Sequence, residues 1–303
     1  FVLNAIFQKN LAMDRVAMVE FIGKLIQVGL IVLIVQQDWG FIAIAGTIIA
    51  SLSFNATVAF ILSRRYATFR LHFDFSYWKE FLRLSFPMGV TAIITFTYFK
   101  MDTILLSVLQ SNAHVGIYNV AYKIMENLIF FPAMLAGLIL PLLSRYIFTD
   151  RDRFEEIANK TFKVFVIAIV PIVIGTWFLA PNIIAIVSGQ GFEESATVLR
   201  ILIFALVFIF FGSYFNMLLI VGNAQKKLMQ TLIFAAIFNI ALNLFLIPRY
   251  SYIGSASTAL ATEALVVFLT ALLTFRSIQY IPSMERIFPV FLSGGVMAGV
   301  LFL

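Results

Sequence analysis

The sequence predicts an all-α, polytopic membrane protein, and three of its features carry that expectation. Of its 303 residues 62% are hydrophobic and only 12% charged, with a mean hydropathy of +1.00. Soluble domains average about 45–50% apolar and about 25% charged residues, so a soluble fold of this length has too little interior to hide the excess. The apolar residues gather into nine stretches, each near or above span length, and the connections between them alternate between basic and nearly free of Lys and Arg. An outer-membrane barrel would instead alternate apolar and polar residues over segments of about ten, a pattern that the sequence lacks.

The stretches run over residues 15–36, 40–62, 81–109, 115–143, 162–187, 198–221, 228–247, 253–275 and 287–303. About 20 residues of helix cross about 30 Å of hydrocarbon. Residues 1–7 (FVLNAIF) read as the tail of a span already under way, and the last stretch breaks off at Leu303. The chain is therefore expected to be a fragment lacking spans at both ends.

The basic connections hold Lys9 and Arg15, then Arg64, Arg65, Arg70, Lys79 and Arg83, then Arg145, Arg151, Arg153, Lys160 and Lys163, then Lys226 and Lys227, and finally Arg276 and Arg286. The intervening turns, 37–39, 110–114, 188–195 and 248–252, contain Arg249 as their one Lys or Arg. This alternation assigns the basic connections to the cytoplasm. It also accounts for the net charge of +6 and the pI near 9.5 without a nucleic-acid partner.

Taken in order, the first stretch carries Glu20, Lys24 and Gln27, whose spacings of four and three put them on one helix face. That stripe is expected to face a central cavity, the competing expectation being a contact between helices. The connection 63–80 interleaves Phe69, Phe73, Tyr77 and Trp78 with Arg70, His72, Asp74 and Lys79. It predicts an elbow on the membrane surface, with Asp74 or Ser76 capping a short helix and Trp78 at headgroup depth. The third stretch carries Lys100 and Asp102; the fourth carries Lys123 and Glu126 ahead of Pro132. The run DRDRFEE within 145–163 predicts a solvated helix, and Pro171 and Pro181 fall inside the fifth stretch. Asn239 and Asn243 share a face of the seventh and can reach a neighbouring helix. Gly254, Thr258 and Thr262 on the eighth, four residues apart, favour close helix packing. Glu263 follows them.

Away from the ends of the stretches, seven charged side chains thus lie within them: Glu20, Lys24, Lys100, Asp102, Lys123, Glu126 and Glu263. Each costs at least about 2.5–3.5 kcal/mol at the bilayer centre, so such groups line polar paths or form ion pairs between helices. Counting about 1.5 Å per residue from the turn near Asn112 puts Asp102 about 15 Å deep and Lys123 about 16 Å, with Lys100 near 18 Å and Glu126 near 21 Å. Lys100 and Asp102 point about 200° apart on a regular helix. Asp102 and Lys123 are therefore expected to form a structural pair. Lys24, Lys100, Glu126, Glu263 and Glu20 are left as pathway residues.

Catalytic constellations are scarce. With no cysteine there is no disulfide, thiol nucleophile or thiolate metal site. His72 and His114, the two histidines, have no ligand spacing and read as surface residues without a role. No Gly-rich phosphate loop or GxSxG occurs, so neither an enzymatic activity nor a cofactor is expected.

Two segments carry a resemblance. NIALNLFLIPRYSYIGSASTALATE (239–263) resembles the N-x-x-LN-x-x-LIP…GAA-x-AT stretch of the polysaccharide-type, Wzx-like flippases, in the superfamily that also holds MATE exporters and the lipid II flippase. MDTILLSVLQSNAHVGIYNVAYKIME (101–126), followed by a proline and LPLLSR (140–145), resembles the D-x-x-LL…VG-x-Y-x-x-A-x-K segment of the same branch. Ser255 stands where Ala is frequent and Ser251 where Gly is usual, departures expected to leave the chemistry unchanged. The resemblance implies two six-helix lobes around a central cavity. Residues 1–62 would then end the first lobe, 63–80 form the elbow, 81–275 the second lobe and 276–303 the start of accessory spans. It implies a multi-pass protein of the cell (inner) membrane that flips a polyprenyl-pyrophosphate-linked oligosaccharide among membrane lipids, alongside a polysaccharide polymerase and glycosyltransferases. The alternatives are a MATE-like antiporter of organic cations, against which the intramembrane lysines weigh, and a membrane-embedded glycan transferase, for which the outer turns are too short to build a site.

The topology is testable because no native cysteine interferes. A cysteine placed at Asn112 is expected to react with an impermeant maleimide from outside the cell, and one at Arg153 only from the cytoplasm. Labelling of position 112 from the cytoplasmic side alone contradicts the assignment.

Overall fold

The computed structural model describes residues 2–37, 39–67, 75–283 and 288–302. They form α1 (Val2–Lys9), α2 (Met13–Gln36), α3 (Gly40–Ser63), α4 (Phe75–Leu109), α5 (Asn112–Leu128), α6 (Phe130–Tyr146), α7 (Arg151–Ser188), α8 (Ser195–Val221), α9 (Gln225–Ile278) and α10 (Phe288–Phe302), with no strand among the described residues. Seven segments are long and apolar enough to cross a membrane, α5 and α6 counting as one, and α10 is a shorter apolar helix. The chain divides into two compact units, Phe1–Asp74 and Phe75–Leu303.

In the first unit α2 and α3 meet at Gly23, where the absence of a Cβ lets the Asn55 side chain lie close against α2. Ser51 Oγ donates to the Gly23 carbonyl at 3.0 Å beside it. At the basic end Phe7, Ala12 and Val16 pack under Leu62 and Tyr66, with the Arg15 guanidinium 5.2 Å from the Tyr66 ring centre.

In the second unit α8 is the central helix. It is apolar on every side, the pattern of a helix with no face to water, and Leu199, Leu202, Leu206, Phe210 and Leu218 are fully buried. Around it lie α5, α6, α7 and α9. α4 absorbs part of the expected elbow: Tyr77, Trp78, Lys79 and Phe81 lie on its first turns and continue into the span, so no separate surface helix holds them. Ser76 falls inside that helix, and residues 68–74, with the Asp74 cap, lie outside the described residues. The charged run after Arg145 is likewise continuous with a span. Asp150 caps α7 by accepting from the Arg153 backbone N–H at 3.1 Å, and the helix then runs 38 residues.

Three breaks in the ladder have identifiable causes. Pro132 offers no N–H to the Leu128 carbonyl, and α5 ends there. Pro181 leaves the Trp177 carbonyl open within α7, and Arg200 Nε of α8 donates to it at 3.1 Å. The third is the corner of α9. A straight helix of 54 residues would be about 80 Å long, over twice the hydrocarbon thickness. Ser251, at φ 51° and ψ −131°, turns the chain back on itself. Asn239 Nδ2 then reaches Thr262 Oγ1 at 3.3 Å, which places the two limbs side by side. They are the two stretches expected over 228–247 and 253–275.

Gly254 makes that return possible. A Cβ on it would sit 2.5 Å from the Leu246 carbonyl oxygen, a backbone atom that cannot swing aside. Gly254→Ala is therefore expected to destabilise the protein by about 1–3 kcal/mol, in the range of overpacked sites. By contrast Gly89→Ala on α4, where a Cβ meets nothing within 4 Å, is expected to be neutral or stabilising by up to about 1 kcal/mol. Thermal unfolding in detergent separates the two; an unchanged midpoint for Gly254→Ala contradicts the packing argument.

Candidate functional site

Polar groups collect at two places on either side of Tyr122. The first is an open cleft between α4 and α5. The turn at Gln110–Ser111 makes these helices antiparallel, so Lys100 of α4 arrives opposite the Lys123–Glu126 face of α5. Lys100 Nζ lies 2.8 Å from Glu126 Oε1 and Lys123 Nζ 2.9 Å from Glu126 Oε2, so one carboxylate serves two ammonium groups. The Lys100 side chain is 37% exposed, Glu126 34% and Lys123 72%, so the triad is open to the cleft. Lys100 Nζ also stands 5.2 Å from the Tyr122 ring centre. The cleft measures about 640 Å³ and adds Thr103, Asn119, Tyr122, Ser188 and Phe192 to its walls. Two cations, one anion and several hydroxyl and amide groups suit a multiply charged anion attached to a hydroxylated body.

The second place is closed. Asp102 is 3% exposed, and its Oδ1 accepts from Asn239 Nδ2 at 3.1 Å and Asn243 Nδ2 at 2.6 Å. The buried Tyr118 hydroxyl points at Oδ2 from 3.4 Å. Asn239 Nδ2 also reaches Thr262 Oγ1, and Asn243 Nδ2 also reaches Asn239 Oδ1 at 3.1 Å. Only about 10 Å³ of space is left beside this group, the lower limit for a single water. The cluster is a packed polar core and not a substrate chamber. Its oxygens have the chemistry for a proton or a hard cation, although the described residues hold no group of three or more His, Cys, Asp or Glu.

The expected Asp102–Lys123 pair is therefore corrected. The two residues are counted to similar distances from the α4–α5 turn, but α5 turns about 100° per residue. Tyr118 and Tyr122 are the α5 residues directed at Asp102, and Lys123 is carried round into the cleft. Lys100 and Glu126 do share the cleft as expected, bonded to each other. Glu263 does not join them; it is 4% exposed and lines the Asp102 side of Tyr122. In the first unit Glu20, Lys24 and Gln27 form the expected stripe. They line a groove of about 500 Å³ with Ser51 and Asn55, and Lys24 Nζ donates to Gln27 Oε1 at 3.0 Å.

Sequence reasoning missed a clamp at the end of the unit that bears the α4–α5 turn. His114, expected to be without a role, has Nδ1 2.9 Å from Ser251 Oγ and 3.2 Å from Gln110 Oε1, with its ring edge-on to Tyr252. Gln110 Nε2 donates to the Ile247 carbonyl at 3.1 Å, and the Tyr252 hydroxyl donates to Glu194. The departure at Ser251 is thus structural. A residue with a side chain occupies a left-handed position that favours glycine, and its hydroxyl is held by His114.

Apolar helices of spanning length, with charged side chains gathered at open clefts and in a packed polar core, define a multi-pass α-helical membrane protein. Residues 1–197 match the family described as "Polysaccharide biosynthesis protein", and the chain belongs to that family. It is similar to the "Probable flippase AglR" of Haloferax volcanii, with 27% identity over 210 residues that make up 68% of this chain and 44% of that protein. The "Probable low-salt glycan biosynthesis flippase Agl15" of the same organism is 24% identical over 70% of this chain and 45% of its own length. The "Capsular polysaccharide biosynthesis protein CapF" of Staphylococcus aureus is 25% identical over 64% and 50%. The chain thus spans about half the length of the curated relatives it matches. Among solved structures the fold is shared with "Lipid II flippase MurJ, inward closed conformation", at a TM-score of 0.67 and 17% identity, covering 99% of this chain and 64% of that one.

Removing Asp102 takes from two buried amides the carboxylate they share, whereas removing Lys123 breaks only a part-exposed pair with Glu126. Asp102→Ala is expected to cost about 2–5 kcal/mol and Lys123→Ala under about 1 kcal/mol. The double change should add to within about 0.5 kcal/mol, as for independent sites. Denaturant unfolding of the three variants measures this; a coupling well above that figure restores the Asp102–Lys123 pair.

Proposed function

We propose that the chain is part of a transporter that flips a polyprenyl-pyrophosphate-linked oligosaccharide from the cytoplasmic to the outer leaflet of the cell (inner) membrane, for cell-surface polysaccharide. The observation that carries this reading is the Lys100–Glu126–Lys123 cleft, wide and hydroxyl-lined, with more positive than negative charge at the depth of the bilayer. A diphosphate supplies the anion for Lys100 and Lys123, and sugar hydroxyls find partners in Thr103, Asn119, Tyr122 and Ser188. The printed names of the relatives, two flippases and a capsular polysaccharide protein, support the same substrate class. The Glu20–Lys24–Gln27 stripe offers the same kind of surface, and we assign it to the same path.

In this reading residues 81–275 are the second six-helix lobe of the carrier, 1–62 the end of the first, and 276–303 the start of accessory spans. Glycosyltransferases supply the lipid-linked sugar and a polymerase or ligase consumes it; the carrier itself makes and breaks no covalent bond. Two lysines in the cleft weigh against an organic-cation antiporter, which needs carboxylates left over.

The test uses the full-length protein in a host lacking its own copy. Lys100→Gln with Lys123→Gln is expected to lower glycan export about tenfold or more at equal membrane abundance, the effect of losing both charges from an anion site. Lys100→Arg with Lys123→Arg should retain most export. Equal export by the Gln pair removes the cleft from the pathway.

A further inference from the structure

We propose that Glu126 is an internal competitor for the substrate's anionic group: it fills the two-lysine clamp in the empty protein and is exchanged for that group when substrate binds. The inference rests on the anion-binding reading of the cleft and adds to it a means of release. Each Glu126 oxygen takes one ammonium, Oε1 from Lys100 at 2.8 Å and Oε2 from Lys123 at 2.9 Å. That is the geometry in which two oxygens of a phosphate, or of a carboxylate on the glycan, would bridge the same two donors.

Glu126 is placed to leave. It is one-third exposed toward a cleft of about 640 Å³, so swinging out strands no buried charge. Among the residues lining that cleft it is the single carboxylate, Asp102 being turned into α9 and Glu263 lying on the far side of Tyr122. One turn of α5 tethers it to Lys123, which fixes its effective concentration at the clamp in the millimolar range or above. Two unopposed ammonium groups would hold a diphosphate on whichever side it was delivered. A tethered rival weakens that grip and refills the clamp on departure, and binding must be weak enough to leave for a path to turn over. A purely structural Glu126, fixing α4 to α5, predicts the reverse: its removal would loosen the cleft and weaken binding.

The experiment uses full-length protein in nanodiscs and two probes, farnesyl diphosphate and an alkyl glucuronide, with farnesol and an alkyl glucoside as uncharged controls. In Glu126→Gln the dissociation constant for at least one anionic probe is expected to fall about three- to tenfold, the scale of a half-exposed ion pair, while glycan export drops. A diphosphate effect alone assigns the exchange to the lipid linkage, and a glucuronide effect alone assigns it to the glycan. A second measurement needs no substitution: carbodiimide labelling of Glu126 in the unaltered protein, read by peptide mass spectrometry, should rise with the active anionic probe and not with its uncharged control. Unchanged or weaker binding by Glu126→Gln, or labelling that fails to rise, overturns the exchange while the Lys100→Gln, Lys123→Gln pair still loses binding. If that lysine pair binds both anionic probes as the parent does, the anion site itself is wrong and the exchange falls with it.

Discussion

A carboxylate buried among apolar helices has no water to fall back on, and the second unit is arranged around meeting that demand at Asp102. Its donors come from α5 through Tyr118 and from the first limb of α9 through Asn239 and Asn243. Lipid tails are as apolar as leucine, so helices in a membrane gain little by hiding apolar faces from one another, and interhelical hydrogen bonds and close packing hold them instead. Asp102 ties three helical segments through one side chain. The amide pair that serves it also bonds to Thr262 on the returning limb of α9, so the hairpin closes on the same cluster.

The same rule explains the corners. At two places where a proline or a turn opens the helical ladder, a side chain from another element supplies the missing partner: Arg200 for the Trp177 carbonyl, Gln110 for that of Ile247. At the opposite end Arg151 donates to the Ile278 and Gln279 carbonyls where α9 stops, each at 3.0 Å. Backbone irregularity is tolerated in a membrane protein only when freed groups are satisfied internally. The polar residues that do this look idle in the sequence.

That is why the spans were legible and much of their joinery was not. Hydropathy is a local quantity, so the stretches over 198–221, 228–247 and 253–275 fall on α8 and the two limbs of α9. Asn239, Asn243, Gly254 and Thr262 were readable as packing residues because their four-residue spacing declares a shared face. Distance along a helix was also countable, since rise per residue is constant. Azimuth was not. Asp102 and Lys123 stand at similar counts from the α4–α5 turn, yet a one-residue step from Tyr122 to Lys123 moves the side chain from the core to the cleft. The role of His114 depends on the backbone angle of Ser251, 137 residues away, and no local signal carries such a dependence. The usual glycine at that position was the one hint, because a glycine exchanged for serine at a left-handed turn calls for a compensating bond.

Tyr122 separates the two polar places and belongs to both. Its ring walls the packed cluster of Asp102, Asn239, Thr262 and Glu263, and the other side lies under Lys100 in the open cleft. Asp102 and Glu263 on one side and Lys100 and Lys123 on the other thus have the Tyr122 side chain between them. Charges so placed interact more strongly than exposed ones, because the material between them screens little. The cleft accepts a change in its charge cheaply, being open to solvent. The core does not, being buried and left with only about 10 Å³ of space. Rearrangement of ions is thereby confined to the side of Tyr122 where Lys100, Lys123 and Glu126 stand, and the bonds that define the bundle stay on the other.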